Sequence, residues 1–291
     1  MEYRGLSICI PAYNEAGAIG QALRDLRAQF PEAQIIVVDD GSRDATADEA
    51  GTVEGVTLIR HNSNRGYGAS IKTAVRHATG RAVAWYDADG QHRPRDLARV
   101  VRPVLNGSKD AVIGRRVRGS TVRPERVPGK LVLRLVAELV ARERIPDLNC
   151  GLRCFRRDVI ARYLHLLPDG FSASTTSTLL MIKRGYRLGY ARIVARPREG
   201  TSTVRQFRDG LGTLHLIVRL LVLFEAFKFF TLLSALQVIP GMAYGLFKVF
   251  TIRQGFPTFA STVVISGVLT FLMGLVCDQI TALRQERFEH D

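Results

Sequence analysis

The chain of 291 residues is poor in cysteine, and its four cysteines lack the paired short spacings of a zinc site. We expect Cys9, Cys150, Cys154 and Cys277 to be reduced and structural. Internal repeats, low-complexity segments and long flexible linkers are also missing from the sequence. Signatures of zinc fingers, helix-turn-helix domains and RNA-recognition domains are absent as well, which argues against a nucleic-acid partner.

The N-terminus lacks the features of a secretory signal peptide. Its apolar run, Leu6–Ile10, is too short for one, and Pro11, Asn14 and Glu15 follow at once. We therefore expect the large N-terminal part of the chain to stay in the cytosol.

Acidic residues are the scarcer charge, since 27 Asp and Glu against 41 Lys and Arg give a net charge of +14. This balance indicates either nucleic acid or an anionic membrane surface as a partner. We favour the membrane, because Phe229–Phe247 and Thr258–Cys277 carry no charge over 19 and 20 residues. Each stretch is close to the length that spans a bilayer. A buried core helix is the alternative for one such stretch, but two in tandem favour a transmembrane hairpin.

Basic residues near the two stretches predict their orientation. Six lie outside the pair (Arg205, Arg208, Arg219, Lys228, Arg284 and Arg287), and two lie in the connecting turn (Lys248 and Arg253). The sequence thus predicts a domain over 1–210, a juxtamembrane amphipathic helix over 211–228, a transmembrane hairpin over 229–280 and a tail over 281–291. The two spans are expected at about 229–249 and 258–278. Both termini are expected in the cytosol, and the membrane is expected to be a bacterial inner membrane.

Short apolar strands alternate with helical patterns through the first part of the chain. This alternation predicts an α/β fold with a mostly parallel sheet flanked by helices on both faces. The predicted strands are Leu6–Ile10, Ile35–Val38, Val56–Ile59, Ala82–Tyr86 and Ala111–Ile113, and the predicted helices are Ala16–Phe30, Asp44–Ala50 and Tyr67–Ala78.

Polar side chains follow three of the predicted strands directly. In parallel sheets ligands gather at the carboxyl ends of the strands, so these side chains are candidates for one binding site. They are Tyr13, Asn14 and Glu15 after the first strand, Asp39 and Asp40 after the second, and Asp87 and Asp89 after the fourth.

The run Asp87-Ala88-Asp89-Gly90-Gln91-His92 is the most specific of these groups. Two carboxylates one residue apart at a strand end favour Mg²⁺ or Mn²⁺, with substrate phosphates completing the shell. An ordinary turn rich in Asp and Gly is the alternative.

A predicted helix over Val127–Val140 mixes apolar and basic residues, with Leu131, Leu135 and Leu139 beside Lys130 and Arg134. It fits either an amphipathic helix lying on a bilayer or a core helix with a solvated basic face.

The strand-end motifs resemble those of a known family. They occur in the order Ile10–Glu15, Val38–Ser42 and Asp87–His92, and two further marks are Ile113–Arg116 and Asp147–Arg153. Together they look like inverting family-2 glycosyltransferases with the GT-A fold, and within that family they are similar to polyprenyl-phosphate glycosyltransferases such as dolichol-phosphate mannosyltransferase. The resemblance covers residues 6–210.

The resemblance implies transfer of a sugar from a UDP- or GDP-sugar to a polyprenyl (undecaprenyl or dolichyl) phosphate at the cytosolic membrane face. The sequence leaves open whether the chain forms a homo-oligomer. By position, it implies donor contacts at Pro11, Ala12, Tyr13, Glu15, Asp39, Asp40, Asp87 and Ala88, and Mg²⁺ or Mn²⁺ held by Asp87, Asp89 and Gln91. It further implies catalytic roles for Asp89, Arg116 and Asp147, and acceptor-phosphate contacts for Arg116, Lys130 and Arg134. Because a phosphate monoester is largely dianionic at cytosolic pH, Asp147 is expected to orient groups rather than to act as an obligatory base.

The sequence departs from the family pattern in two places. Arg198–Thr203 lacks the family's lysine, so Arg196, Arg198 or Arg205 would replace it. The helix near 174–182 has Ser174–Thr178 where the family commonly has a glutamate.

Other functions remain open from the sequence. The nearest alternative is a membrane-anchored glycosyltransferase that acts on another lipid or on a glycan. A nucleotidyltransferase would want a glycine-rich phosphate loop near the N-terminus, where this chain has Pro11–Glu15 instead. A basic membrane-anchored nucleic-acid binder and an inactive scaffold are two further alternatives.

Overall fold

The computed structural model describes residues 3–117, 127–170, 172–195, 206–253 and 255–286, with the backbone alone for 127–130, 206–215 and 284–286. The chain divides into two compact units, Met1–Gln206 and Phe207–Asp291.

The first unit contains a seven-stranded sheet in the order β3-β2-β1-β4-β6-β5-β7. Strand β6 runs antiparallel to both of its neighbours, and the other pairs are parallel. The prediction of a mostly parallel sheet flanked by helices is confirmed. The strands are β1 (Leu6–Ala12), β2 (Gln34–Asp39), β3 (Val56–Arg60), β4 (Ala82–Trp85), β5 (Ala111–Arg116), β6 (Arg153–Arg156) and β7 (Leu188–Ile193).

The helices of this unit pack around the sheet. They are α1 (Ala16–Gln29), α2 (Thr46–Gly51), α3 (Tyr67–His77), α4 (Pro94–Leu105), α5 (Val127–Ala141), α6 (Arg157–Arg162) and α7 (Ala173–Lys183), with a short 3-10 turn at Leu164–Leu166. The sequence pattern did not predict helices α4, α6 and α7 or strands β6 and β7.

The central strands are buried on both faces, which explains their continuous apolar runs. Ile8 and Ile10 of β1 and Val37 of β2 have no exposed surface, and Leu23 and Leu26 of α1 join the same core.

The order of the strands brings the polar strand ends together. The chain builds β1, β2 and β3 toward one edge and then crosses back to place β4 on the other side of β1. Such a reversal opens a crevice at the carboxyl ends of the strands. Because β6 is antiparallel, its first residue, Arg153, lies at this same edge, opposite Trp85 at the end of β4.

The second unit is a helical hairpin of α8 (Gln206–Thr251) and α9 (Thr258–Glu286). The backbone of α8 leaves helical geometry at Glu225, close to the predicted start of the hairpin at 229. Small residues let the two helices approach, because a side-chain carbon added at Gly267 would lie 2.5 Å from Val238. The side chain of Gln237 also hydrogen-bonds to Ser266 and Thr270.

Among the described residues, one helical segment, Thr258–Leu283, is long and apolar enough to cross a membrane. This segment contains the second predicted span. The first predicted span, 229–249, is helical but is not selected by the same measure of length and composition.

Candidate functional site

The paired acids that follow β4 lie at the carboxyl edge and are partly exposed. Asp87 accepts a hydrogen bond from the hydroxyl of Tyr67 (3.1 Å), and its other oxygen lies 3.8 Å from Nε2 of His92. Asp89 accepts a hydrogen bond from the backbone N–H of Gln91 (3.2 Å), which closes a tight turn. Ala88 between them is buried, so the two carboxyl groups are presented by a fixed loop.

The ligand chemistry of this pair decides whether it could hold a metal ion. The described residues contain no group of three or more His, Cys, Asp or Glu that could hold a metal by itself. Two carboxylates at a crevice nevertheless fit Mg²⁺ or Mn²⁺, since these ions are commonly bound by one or two carboxylates with substrate phosphates and water. The side chain of Gln91, which the resemblance makes a third ligand, is partly exposed beside them.

The acids at the end of β2, Asp39 and Asp40, have a different environment, because both are buried and both are bound by the protein's own donors. Asp39 accepts hydrogen bonds from the backbone N–H of Ser42 (3.0 Å) and from Nε of Arg60 (3.2 Å). Its carboxylate therefore closes the turn after β2 and ties it to the end of β3.

Asp40 is bound even more fully. Its Oδ1 lies 2.7 Å from Nδ1 of His61 and accepts a hydrogen bond from the backbone N–H of Arg65, while Oδ2 accepts one from the N–H of Gly66 (2.7 Å). Gly66 has a φ of 100°, a conformation that side chains disfavour, and it precedes α3. Asp40 thus fixes the loop that leads into α3.

The loop after β1 is clamped to the loop after β2. The backbone N–H groups of Asn14 and Glu15 donate to the hydroxyls of Ser42 (3.0 Å) and Thr46 (2.8 Å), and Asn14 accepts in return from the N–H of Arg43 (2.9 Å). Four residues that were expected to contact the nucleotide-sugar donor lie in this segment, next to the buried acids. They are Pro11, Ala12, Tyr13 and Glu15.

Arg116 at the end of β5 and Asp147 form a bidentate ion pair, with both nitrogen–oxygen distances at 2.8 Å. Burial acts to raise the pKa of Asp147, but the hydrogen bonds and positive charge of Arg116 outweigh it, so the pKa is lowered. The two residues that were expected to act separately near the reaction centre are therefore bound to each other.

The remaining basic residues expected at the acceptor phosphate lie on α5. Arg134 is exposed and pairs with Glu138 one turn further along the helix (2.9 Å). The side chain of Lys130 and the residues Arg196, Arg198 and Arg205 lie outside the described part of the structure.

The exposed leucines of helix α5 bear on its two sequence interpretations. Its inner face is buried, and its outer face exposes leucines one turn apart beside the exposed Arg134. Leu131, Leu135 and Leu139 are 53%, 58% and 73% exposed. This mixture of apolar and basic exposed residues favours an amphipathic helix, and its position on a bilayer stays a prediction.

The sequence motifs assigned no individual role to three residues that support the paired acids. Tyr67 is partly buried against Asp87, and loss of solvent together with that negative charge raises the pKa of its hydroxyl. A side-chain carbon added at Gly151 would lie 2.0 Å from an oxygen of Asp87. Arg153 is fully buried behind this segment. The sequence signal for Arg153 is a charge inside the apolar run Leu152–Phe155.

The cysteines behave as the sequence predicts, since all four are free thiols. Cys9, Cys150 and Cys154 are buried, and burial raises the pKa of Cys150 to about 12.

Comparison with known proteins identifies the family of this chain. Residues 7–164, more than half of the chain, match Glycosyl transferase family 2. The chain belongs to this family. Residues 227–283 match a second description, the GtrB C-terminal hairpin. The protein is thus a family-2 glycosyltransferase with a C-terminal helical hairpin.

Curated relatives match part of the chain. An uncharacterised protein from Methanocaldococcus jannaschii is 33% identical over 190 residues, which cover 62% of this chain and 77% of that protein. UDP-N-acetylglucosamine–dolichyl-phosphate N-acetylglucosaminyltransferase from Methanococcus voltae is 31% identical over 53% of this chain and 70% of its own length. Undecaprenyl-phosphate 4-deoxy-4-formamido-L-arabinose transferase from Pseudomonas fluorescens is 30% identical over 60% of this chain and 56% of its own length.

Solved structures show the same fold. Glucosyl-3-phosphoglycerate synthase from Mycobacterium tuberculosis, crystallised with Mn²⁺, UDP and glucosyl-3-phosphoglycerate, has a TM-score of 0.61 at 20% identity. The match covers 75% of this chain and 79% of that one. A second structure of the same enzyme, with Mg²⁺ and UDP, has a TM-score of 0.59. These similarities establish the GT-A-type fold of the glycosyltransferase unit.

Proposed function

We propose that this family-2 glycosyltransferase moves a sugar from a nucleotide-sugar donor to a polyprenyl phosphate at a membrane surface. The observation that carries the proposal is that one chain contains both a partly exposed acidic site at the sheet edge and a GtrB-type C-terminal hairpin. Two relatives whose names specify dolichyl phosphate and undecaprenyl phosphate as acceptors support this choice.

The donor would bind in the crevice between the ends of β1, β2 and β4. Asp87 and Asp89, with Gln91, would hold a divalent metal, which when bound supplies positive charge against the leaving diphosphate. Solved relatives in fold bind UDP with Mn²⁺ or Mg²⁺, which favours a UDP-sugar as donor. The buried acids Asp39 and Asp40 would shape the nucleotide pocket by fixing the loops that line it.

The acceptor phosphate would meet Arg116. Asp147 binds Nε and Nη2 of this arginine, and Nη1 makes no hydrogen bond among the described residues, so this nitrogen is oriented for an anion. Because its pKa is lowered, Asp147 stays ionised and is a weak base. Its role is to aim Arg116, and the dianionic phosphate attacks without losing a proton.

The membrane would bring the lipid to this site. The exposed leucines of α5 are suited to contact acyl chains, and the hairpin supplies an anchor with basic residues outside its turn. We place the chain in a bacterial inner membrane as a multi-pass protein, and the charge counts given above favour cytosolic termini. Arg134 and Lys130 of α5 would add positive charge near the phosphate.

A transfer assay tests the proposal. Membranes that contain the protein would receive undecaprenyl phosphate, Mn²⁺ and one labelled donor at a time: UDP-glucose, UDP-galactose, UDP-N-acetylglucosamine or GDP-mannose. We expect one donor to label the lipid phase, and we expect Asp89→Ala to remove the label. Asp48→Ala, an exposed acid on α2, is the matched control and should keep it.

Metal-dependent nucleotide binding without lipid label from any donor would overturn the polyprenyl-phosphate acceptor. The function would then be that of a glycosyltransferase with another lipid or a glycan as acceptor.

A further inference from the structure

Arg153 is a buried arginine whose hydrogen-bond acceptors are all neutral among the described residues. It has no exposed surface and donates to the carbonyl oxygens of Cys150 and Ser174 and to the hydroxyls of Ser177 (2.9 Å) and Thr178 (3.2 Å). Its guanidinium carbon also lies 5.4 Å from the centre of the Trp85 ring. Arginine stays protonated in proteins, so this site holds a full positive charge without a hydrogen-bonded carboxylate.

A buried charge of this kind needs compensation from elsewhere, since leaving it unpaired is costly. Asp147 and Asp87 are the two carboxylates among the groups whose charges act on Arg153. Asp147 is already bound in an ion pair with Arg116. Asp87 belongs to the acidic site, so the charge of Arg153 also acts on that site.

A mechanical link joins the same two residues. Arg153 donates from two nitrogens to the carbonyl oxygen of Cys150, and the next residue, Gly151, packs against the carboxyl group of Asp87. The hydroxyls of α7 hold the other side of the guanidinium. Arg153 thus fixes the surface on which Asp87 rests.

We propose that Arg153 is a positioning residue that selects the state of the acidic site: its buried charge disfavours a bare divalent cation at Asp87 and favours the anionic diphosphate of the donor. This proposal rests on the proposed function. The physical reason is the sign of the charge on Arg153, because a fixed positive charge repels a metal ion and attracts phosphate oxygens. The site would accordingly bind the metal and the nucleotide together rather than the metal first.

The obvious test is Arg153→Met, which removes the charge. We expect affinity for Mn²⁺ alone to rise about tenfold and affinity for UDP at saturating Mn²⁺ to fall about tenfold. A residue that only held the loop in place would, when lost, weaken both affinities. The opposite directions therefore separate an electrostatic role from a structural one.

A second pair of variants covers the case in which Arg153→Met does not fold. Ser177→Asp places a carboxylate beside the guanidinium, and Ser177→Asn places a neutral group of nearly the same volume there. Relative to Ser177→Asn, Ser177→Asp should bind Mn²⁺ alone more tightly and UDP with Mn²⁺ more weakly. Calorimetric titration of the full-length protein in detergent measures both affinities.

Equal behaviour of the two Ser177 variants, or affinities that fall together in Ser177→Asp, would overturn the proposal. These binding measurements contain no lipid acceptor. A failure of the proposed acceptor would leave them unaffected, and absence of any UDP binding by the wild-type protein would count against the proposed function instead.

Discussion

Two acidic pairs lie at the ends of β2 and β4 in this glycosyltransferase, and they differ in what binds them. Asp39 and Asp40 at the end of β2 are buried, and the chain's own donors occupy their oxygens. Asp87 and Asp89 after β4 are partly exposed, and the contacts of their carboxyl groups include one tyrosine hydroxyl, one histidine and the turn itself.

The difference indicates that acidic residues in this crevice have two separate roles, one structural and one in binding. A carboxylate surrounded by backbone N–H groups stabilises the loops that build a pocket. A carboxylate presented at the pocket's rim is suited to a metal and a phosphate. We expect mutations in the two pairs to separate stability from activity.

The largest effect is expected at the exposed pair. Asp89→Ala should lower sugar transfer by about 100- to 1,000-fold, because charge on the leaving diphosphate would lose its counter-charge. The free energy of unfolding without metal should change by less than about 1 kcal/mol, since Asp89 lies on a partly exposed turn. Transfer assays and urea unfolding of the same preparation measure the two quantities. Destabilisation as great as that of the buried pair would break the comparison.

The second effect concerns the buried pair. Asp40→Ala should lower the free energy of unfolding by about 3 kcal/mol, because His61 and the backbone N–H groups of Arg65 and Gly66 lose their acceptor. Urea unfolding checks this, with the exposed Asp48→Ala as the control. A stability equal to that of the control would show that Asp40 is not structural.

A third prediction concerns Gly151, which packs against Asp87 of the exposed pair. Gly151→Ala should weaken Mn²⁺-dependent UDP binding by about tenfold, because its methyl group would displace the Asp87 carboxyl group from its place. Gly170→Ala is the matched control, since a carbon added there meets no atom within 4 Å. If both variants bound UDP as the wild-type protein does, Gly151 would not support the site.

The smallest effect is a pH dependence at a third acid. The pKa of Asp147 is lowered in the folded protein, so its contribution to stability is present above the ordinary aspartate pKa of about 3.9 and is lost as the pH falls through the folded value. The stability advantage of the wild-type protein over Asp147→Asn should therefore shrink as the pH is lowered below about 4. Urea unfolding between about pH 3 and pH 7 measures it. An advantage that grows on acidification would contradict the ion pair with Arg116.

Much of the catalytic fold could be predicted from the sequence, because β1, β2 and β4 are continuous apolar runs that end in polar motifs. Strands β6 and β7 could not. In β6 the buried Arg153 interrupts the apolar pattern, and β7 is only partly buried, so neither carries a clear local signal. Their positions depend on pairing with distant strands.

The site could be predicted only as a set of acids. The hydrogen bonds that an acid accepts depend on donors that lie far along the chain. Asp40, for example, receives its hydrogen bonds from residues 61, 65 and 66. The pairing of Arg116 with Asp147 likewise joins residues 31 positions apart. Spacing within a motif contains no information about such partners.

One measurement tests the division between the two pairs most directly. The free energy of unfolding and Mn²⁺-dependent UDP binding would be determined together for Asp40→Asn and Asp89→Asn. The account predicts a crossed result, in which Asp40→Asn loses mainly stability and Asp89→Asn loses mainly binding. Equal losses of both quantities in the two variants would contradict it.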